Sequence, residues 1–475
     1  MKIRTSYFIS LVLLIISVLA ITTDYYRPLV YALGGILLFS IIAKLGKGIV
    51  LRESTAFLYA FTCLIMPLVG YTTYTSNSGI SRLWVKYMPI PFNDYFSFTL
   101  PAISLFCLAL TYPLSDKSNS DEGESLSRIV KAIKSSLVNK AGIGLQLLIV
   151  GSLLSLVAPF MPAEIRFFIV LFYFASFAGL LYVYYSTNFK YKKLILFLFS
   201  LIILANAVQT GMFTIVAYMG ITIFSFFFLG SGTSILKKLM FLAIAVVMLV
   251  VLQNAKLTYR ALTWKSNYEG NKALLLGEIF VENLQKGTEL IEKDAMFPIY
   301  ARTNQGFNVA LVMRRMPAIE NYDNGEMLFK NIASAFVPRF LWPDKPQAGG
   351  ASNMLYYAGM RIRGWSTNVG PLGEAYGSFG PSYGVVFMFL LGLFIRWAYK
   401  KLFDFSVHIP LLICWMPVLF YQVTYSAEAD TLQITNSLIK ASFFVWLMIK
   451  FMPTWFNLGK NQVERQKESV IKSYA

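Results

Sequence analysis

The sequence predicts an all-α fold: a polytopic membrane bundle of about twelve transmembrane helices with one large external loop. Three observations predict it. Hydrophobic residues make up 56% of the chain and charged residues only 14%, where soluble domains carry about 25% charged residues. Apolar runs long enough to cross a bilayer recur along the 475 residues, and mean hydropathy is +0.58. A single long polar interval, 254–380, interrupts the series.

The runs fall at 7–22, 28–43, 55–74, 96–114, 141–162, 165–185, 194–208, 212–229 and 239–253, then at 383–395, 409–425 and 434–452. Residues 1–253 are therefore expected to hold nine spans, 254–380 the external loop, 381–452 three further spans and 453–475 a tail. The first run follows MKIRT like a signal peptide, but a second run follows at once without a small-residue cleavage pattern, so it reads as a retained helix. The stretch 116–140 reads as a linker ending in an amphipathic helix, SLSRIVKAIKSSLV.

Orientation follows from the cations between runs. Alternate connections carry Lys44, Lys47 and Arg52, then Arg128, Lys131, Lys134 and Lys140, then Lys190, Lys192 and Lys193, with Lys237, Lys238, Arg396, Lys400 and Lys401 after them. The opposite short connections hold only Arg27, Arg82, Lys86 and Arg166. Both termini are expected in the cytoplasm, with the long loop facing outward. A net charge of +18 distributed this way sets topology and is no sign of nucleic acid. Cys63, Cys107 and Cys414 sit inside apolar runs and outline no disulfide framework. The chain has no Walker loop, dinucleotide fingerprint or Cys/His metal set, so no cofactor and no metal are expected.

The loop is where chemistry is expected. LLLGEIFVENLQKGTELI, 274–291, has apolar residues at helical spacing and reads as an amphipathic helix, either a lid or plain scaffold. In FPIYARTNQGFNVALVMRRMP, Arg302 precedes a helical pattern that Arg314 and Arg315 end. Those two cations suit a helix C-terminus or lipid phosphates as well as a substrate, whereas Arg302 at a helix start has no such reason to be there. VPRFLWPDKP, 337–346, packs three prolines and two aromatics around Arg339, Asp344 and Lys345, a rigid turn that either fixes them for function or forms a structural corner. Arg361 and Arg363 alternate in AGMRIRGWSTN, which in an extended segment places both guanidinium groups on one face. GPLGEAYGSFGPSYG follows, with glycines that allow close approach and with Glu374 near the membrane boundary. A carboxylate there requires a partner, and Arg361 or Arg363 is expected to supply it. Glu428 and Asp430 in SAEAD read mainly as a solvated turn, with metal or proton binding as the other reading. His408, the lone histidine, falls on the cytoplasmic side.

The turn VPRFLWPDKP, followed by TNVGPLGEAYGSFGPSYG leading into an apolar helix, after about nine spans and one large external loop, resembles the bacterial O-antigen and exopolysaccharide repeat-unit polymerases (Wzy-like). The resemblance implies a metal-independent membrane glycosyltransferase that joins undecaprenyl-pyrophosphate-linked oligosaccharide repeat units on the outer face of the cytoplasmic membrane and releases undecaprenyl pyrophosphate. It carries Arg339 as a pyrophosphate ligand and Glu374 as the acidic residue of the Gly-rich helix start. Arg302, Arg361, Arg363 and Lys345 join Arg339 as pyrophosphate-binding candidates by their place in the loop, with Asp344 beside Glu374 as a candidate base. Membrane lipid, a chain-length regulator and a flippase are the expected partners. O-antigen ligases are expected to use a loop histidine, which this loop lacks. A lipid-linked oligosaccharide flippase is the rival from another class, but it would place charges inside several spans, and these apolar cores hold almost none. A non-catalytic assembly partner would need no Arg and carboxylate constellation.

Overall fold

Backbone amides in hydrocarbon have no water to turn to, so apolar runs must satisfy them internally as helix. The computed structural model describes residues 5–114, 122–210, 214–229, 233–265, 270–337, 341–346, 349–363 and 367–458, and within them it contains helices and no strand. Among the described residues eight helices are long and apolar enough to cross a membrane. In chain order the helices are α1 Thr5–Thr22, α2 Tyr26–Lys44, α3 Leu51–Thr72, α4 Gly79–Trp84, α5 Phe92–Thr111 and α6 Glu122–Ser136. Next come α7 Ala141–Val157, α8 Ala163–Tyr185, α9 Lys192–Thr210, α10 Thr214–Phe228 and α11 Ile235–Arg260. The loop then contributes α12 Lys272–Gln285, α13 Lys293–Thr303, α14 Gly306–Arg315, α15 Glu326–Phe336 and α16 Gly350–Ala358, before α17 Gly370–His408 and α18 Thr431–Phe451. The amphipathic α6 meets α7 at a bend of 93°.

Three boundaries differ from the sequence reading. The run 239–253 lies inside the longer α11, which continues as helix through Arg260 into the polar interval. The run 383–395 lies inside the 39-residue α17. It is broken once, at Gly380, where φ 68° and ψ −171° lie outside the reach of L side chains and the Tyr322 ring fills the space a Cβ would take. The run 409–425 is not one helix but a 3-10 turn at Pro410–Trp415 followed by the short helices Met416–Leu419 and Tyr421–Tyr425. Pro410 opens the first of these pieces and Pro417 stands in the first turn of the second, because a proline has no N–H to continue a helix.

The core sits between α17 and α5, joined by Tyr376 against Phe98 at 4.9 Å between ring centroids. On the side away from the loop, the buried Arg52 of α3 pins three helices. Its Nη1 donates to the carbonyls of Leu110 at 3.2 Å and Tyr112 at 3.0 Å, and its guanidinium lies over the Tyr399 ring. Between α17 and α18 runs an apolar groove of about 1520 Å³. Phe336 and Thr431 line its loop-side end, Leu391 and Leu438 its middle, and Lys401 and Lys450 its far end. Tyr383, Val386, Trp397 and Trp446 along its walls are each more than half exposed, so the groove is open along its flank.

Candidate functional site

Two clusters on the loop side meet at one short segment, Ala427 to Thr431, which carries the chain from Tyr421–Tyr425 into α18. The sequence reads it as a solvated turn; the structure buries Ala427, Asp430 and Thr431 and leaves Glu428 half-buried.

The first cluster is a pair of enclosed carboxylates. Glu374, on the first turns of α17, is fully buried. Its Oε1 accepts from Asn353 Nδ2 of α16 at 2.9 Å, and its Oε2 accepts from the backbone N–H of Thr431 at 2.8 Å. Asp430 caps α18 in a capping box: its Oδ1 accepts from Gln433 N–H at 2.5 Å while Asp430 N–H donates to Gln433 Oε1. Its Oδ2 accepts from Asn368 Nδ2 at 3.0 Å and from Gly349 N–H at 3.3 Å. Burial pushes the Asp430 carboxyl above its ordinary range, and the donors from Gln433, Asn368 and Gly349 oppose that shift. Asn308 of α14 fastens the strand of chain behind them, donating to Thr367 Oγ1 at 2.8 Å and Asn368 O at 2.9 Å. Gly370 turns the chain into α17 with φ +68°, and a Cβ there would lie 2.3 Å from the Ala427 carbonyl oxygen. Only glycine admits the segment 427–431 this close to α17.

The second cluster is cationic. Lys256 and Arg260 stand one turn apart on α11, and both are within electrostatic reach of Arg302 in the last turn of α13. Lys86, in the connection between α4 and α5, faces Arg302 as well. Glu428 meets Arg302 at 2.7 Å and is also in reach of Lys256. Glu428 thus interacts with two of the four cations, Arg302 and Lys256, and Arg302 links the other two to them. Burial, then the Arg302 charge, hold Lys86 below the ordinary lysine range. Lys86 is positioned by Tyr300, whose hydroxyl donates to the Lys86 carbonyl at 2.7 Å while its ring stacks on Tyr74 at 4.4 Å. Burial raises the Tyr300 hydroxyl to about 12, so it remains a donor at neutral pH.

Of the residues expected from sequence, the structure brings Arg302 into the cationic cluster, though near a helix C-terminus and not at a helix start. Glu374 is not paired with Arg361 or Arg363: neutral donors meet both its oxygens, and the two arginines are exposed on either side of the inward-packed Ile362. The alternation read from AGMRIRGWSTN does hold. Lys345 serves the local fold, donating to the carbonyls of Ser334 at 3.0 Å and Val337 at 2.8 Å at the end of α15. Asp344 is exposed in the same turn. Arg339 lies outside the described residues. The sequence reading missed Lys256, Asn353 and the burial of Asp430. The i, i+4 spacing of Lys256 and Arg260 at a helix end was the available signal for the first.

A family model described as a domain of unknown function, DUF8712, matches residues 127–404. No curated protein and no solved structure matches the chain.

Proposed function

We propose that this chain, which belongs to the DUF8712 family of unknown function, is a polysaccharide polymerase of the bacterial cytoplasmic membrane. It joins oligosaccharide repeat units carried on undecaprenyl pyrophosphate. The observation that carries this reading is the placement of Arg302 and Lys256 beside Glu428, with Lys86 and Arg260 in electrostatic reach of Arg302, three residues along the chain from Thr431 at the loop-side end of an apolar groove. A lipid pyrophosphate has that shape: a polyanionic head on a long apolar tail.

In this mechanism the acceptor sugar hydroxyl attacks the anomeric carbon of the donor glycan, forming the new glycosidic C–O bond. The C–O bond to pyrophosphate breaks and its electron pair leaves on the phosphate oxygen. Fixed cations match the charge that develops there without reorganising. Glu428 is the carboxylate beside those cations and takes the hydroxyl proton. Glu374, fully enclosed and bonded at both oxygens, is a positioning residue that holds the 427–431 segment against α17. The reading includes a twelve-span topology with both termini in the cytoplasm and the cluster on the outer face.

The test is a gel ladder from purified protein supplied with lipid-pyrophosphate-linked repeat units in the presence of EDTA. Wild type should build a ladder, and Lys256→Gln and Arg302→Ala should lose it. If wild type builds none while labelled substrate crosses a vesicle bilayer, the protein is a flippase. If single repeat units move to a different glycan core, it is a ligase.

A further inference from the structure

A second recess lies beside the cationic cluster. It is a cleft of about 470 Å³, with Trp84, Lys86 and Tyr87 on one wall and Phe307, Leu311 and Arg314 on the other. Phe307, Leu311 and Arg314 recur at i, i+4 and i+7, so a single face of α14 forms that wall. Lys86 Nζ lies 4.7 Å from the Phe307 ring centroid. The cleft is lined by apolar and aromatic side chains and two cations, and among the described residues no carboxylate lines it.

We propose that this cleft binds an acidic sugar, a carboxylate-bearing pyranose of the glycan being joined. Each part of the lining selects for one part of such a ligand. Aromatic planes match the apolar C–H face of a sugar ring, and a bare phosphate would leave them unused. Two cations match a carboxylate, which a neutral sugar or an apolar peptide side chain lacks. Lys86 is the shared wall between cleft and cluster, since it also faces Arg302. A sugar seated here therefore lies next to the place assigned to the pyrophosphate. Burial and Arg302 both disfavour the Lys86 charge, and an anion in the cleft would favour it. Arg314 and Trp84 are both exposed, the latter by 70%, so neither supports the core. The identity of the occupant as a sugar rests on the glycosyl-transfer reading above.

The experiment is isothermal titration of the full chain in phosphatidylcholine nanodiscs with three probes: an oligogalacturonide, a neutral oligogalactan of the same length, and inorganic pyrophosphate. The oligogalacturonide should bind at least roughly tenfold more tightly than the neutral glycan, and Arg314→Gln should weaken it by a similar factor, the effect of losing one charge-assisted hydrogen bond. Trp84→Ala should weaken the oligogalacturonide and leave pyrophosphate binding unchanged. Equal affinity for the acidic and neutral glycans overturns the proposal, as does an Arg314→Gln variant that binds like wild type. Displacement of the oligogalacturonide by phosphatidylglycerol in the disc, dependent on Arg314, overturns it in favour of a lipid headgroup. Arg314-dependent glycan binding by a protein that forms no ladder retains the cleft and removes the polymerase, and a ladder without such binding does the reverse.

Discussion

Replacing Glu374 by leucine and by glutamine separates two roles that a single knockout would merge. Leucine deletes both acceptor oxygens, leaving the Thr431 N–H and the Asn353 amide without their partner in a fully buried place. Each orphaned donor costs about 1–3 kcal/mol, so the pair should cost about 2–6 kcal/mol. Glutamine keeps one oxygen for Thr431 N–H, and its amide faces Asn353, whose own amide can turn to offer its oxygen. The net loss should stay near 1 kcal/mol, because both donors keep an acceptor. The assay is unfolding of the purified protein in mixed micelles, followed by helical circular dichroism, together with turnover of lipid-linked repeat units. A positioning residue predicts that Glu374→Gln is nearly as stable as wild type and still makes a ladder, whereas Glu374→Leu is destabilised. Equal stability of Leu and Gln would refute the hydrogen-bond argument. A stable, fully inactive Gln variant would show instead that Glu374 handles the proton.

Other consequences can be measured on the same material. Glu428→Gln removes the carboxylate that meets Arg302 and Lys256, so titrated pyrophosphate should bind several-fold more tightly while turnover is lost; weaker binding would mean Glu428 organises the cluster and does not compete with the anion. Gly370→Ala forces an L side chain to φ +68° against the Ala427 carbonyl and should cost about 1–3 kcal/mol or more, with turnover falling alongside; a neutral effect in the unfolding assay would contradict the close approach. Pyrophosphate affinity should fall with rising pH at values below the ordinary 10.5 of a lysine, because Lys86 loses its proton early; Lys86→Arg should move that loss upward, and an unchanged profile would exclude Lys86. Asp430 binds its proton more tightly folded than unfolded, so its contribution to stability is present in acid and lost as pH rises through the raised folded value; Asp430→Asn should flatten that dependence, seen as melting temperature against pH.

What the sequence made legible follows from the range of each interaction. Apolar runs specify helices locally, so the all-helical class and the polar interval were readable, and Pro410 and Pro417 were in plain view as breaks in the run 409–425. The glycines of 370–384 signalled close approach, but not that the neighbour would be the Ala427 carbonyl or the Tyr322 ring. Partners far apart in the chain left no local trace. Arg302 and Glu428 are 126 residues apart, and Asn353 reaches Glu374 across 21. Proximity in sequence suggested Arg361 and Arg363 for Glu374, yet a buried carboxylate can be satisfied by an amide and a helix N–H without drawing a guanidinium out of water. Asp430 was misread because a capping residue and a solvated turn residue have the same composition and differ only in what covers them.

The open flank between α17 and α18 changes what loading would require of this protein. A tail that had to be threaded end-on would leave hydrocarbon for water at about 0.8 kcal/mol per methylene. For the lipid-linked substrate proposed above, a groove open along its side, with Tyr383, Trp397 and Trp446 at its margins, would let the tail slip in sideways while remaining in the leaflet. Arrival and departure then become a two-dimensional search within the membrane, and only the head group has to be recognised.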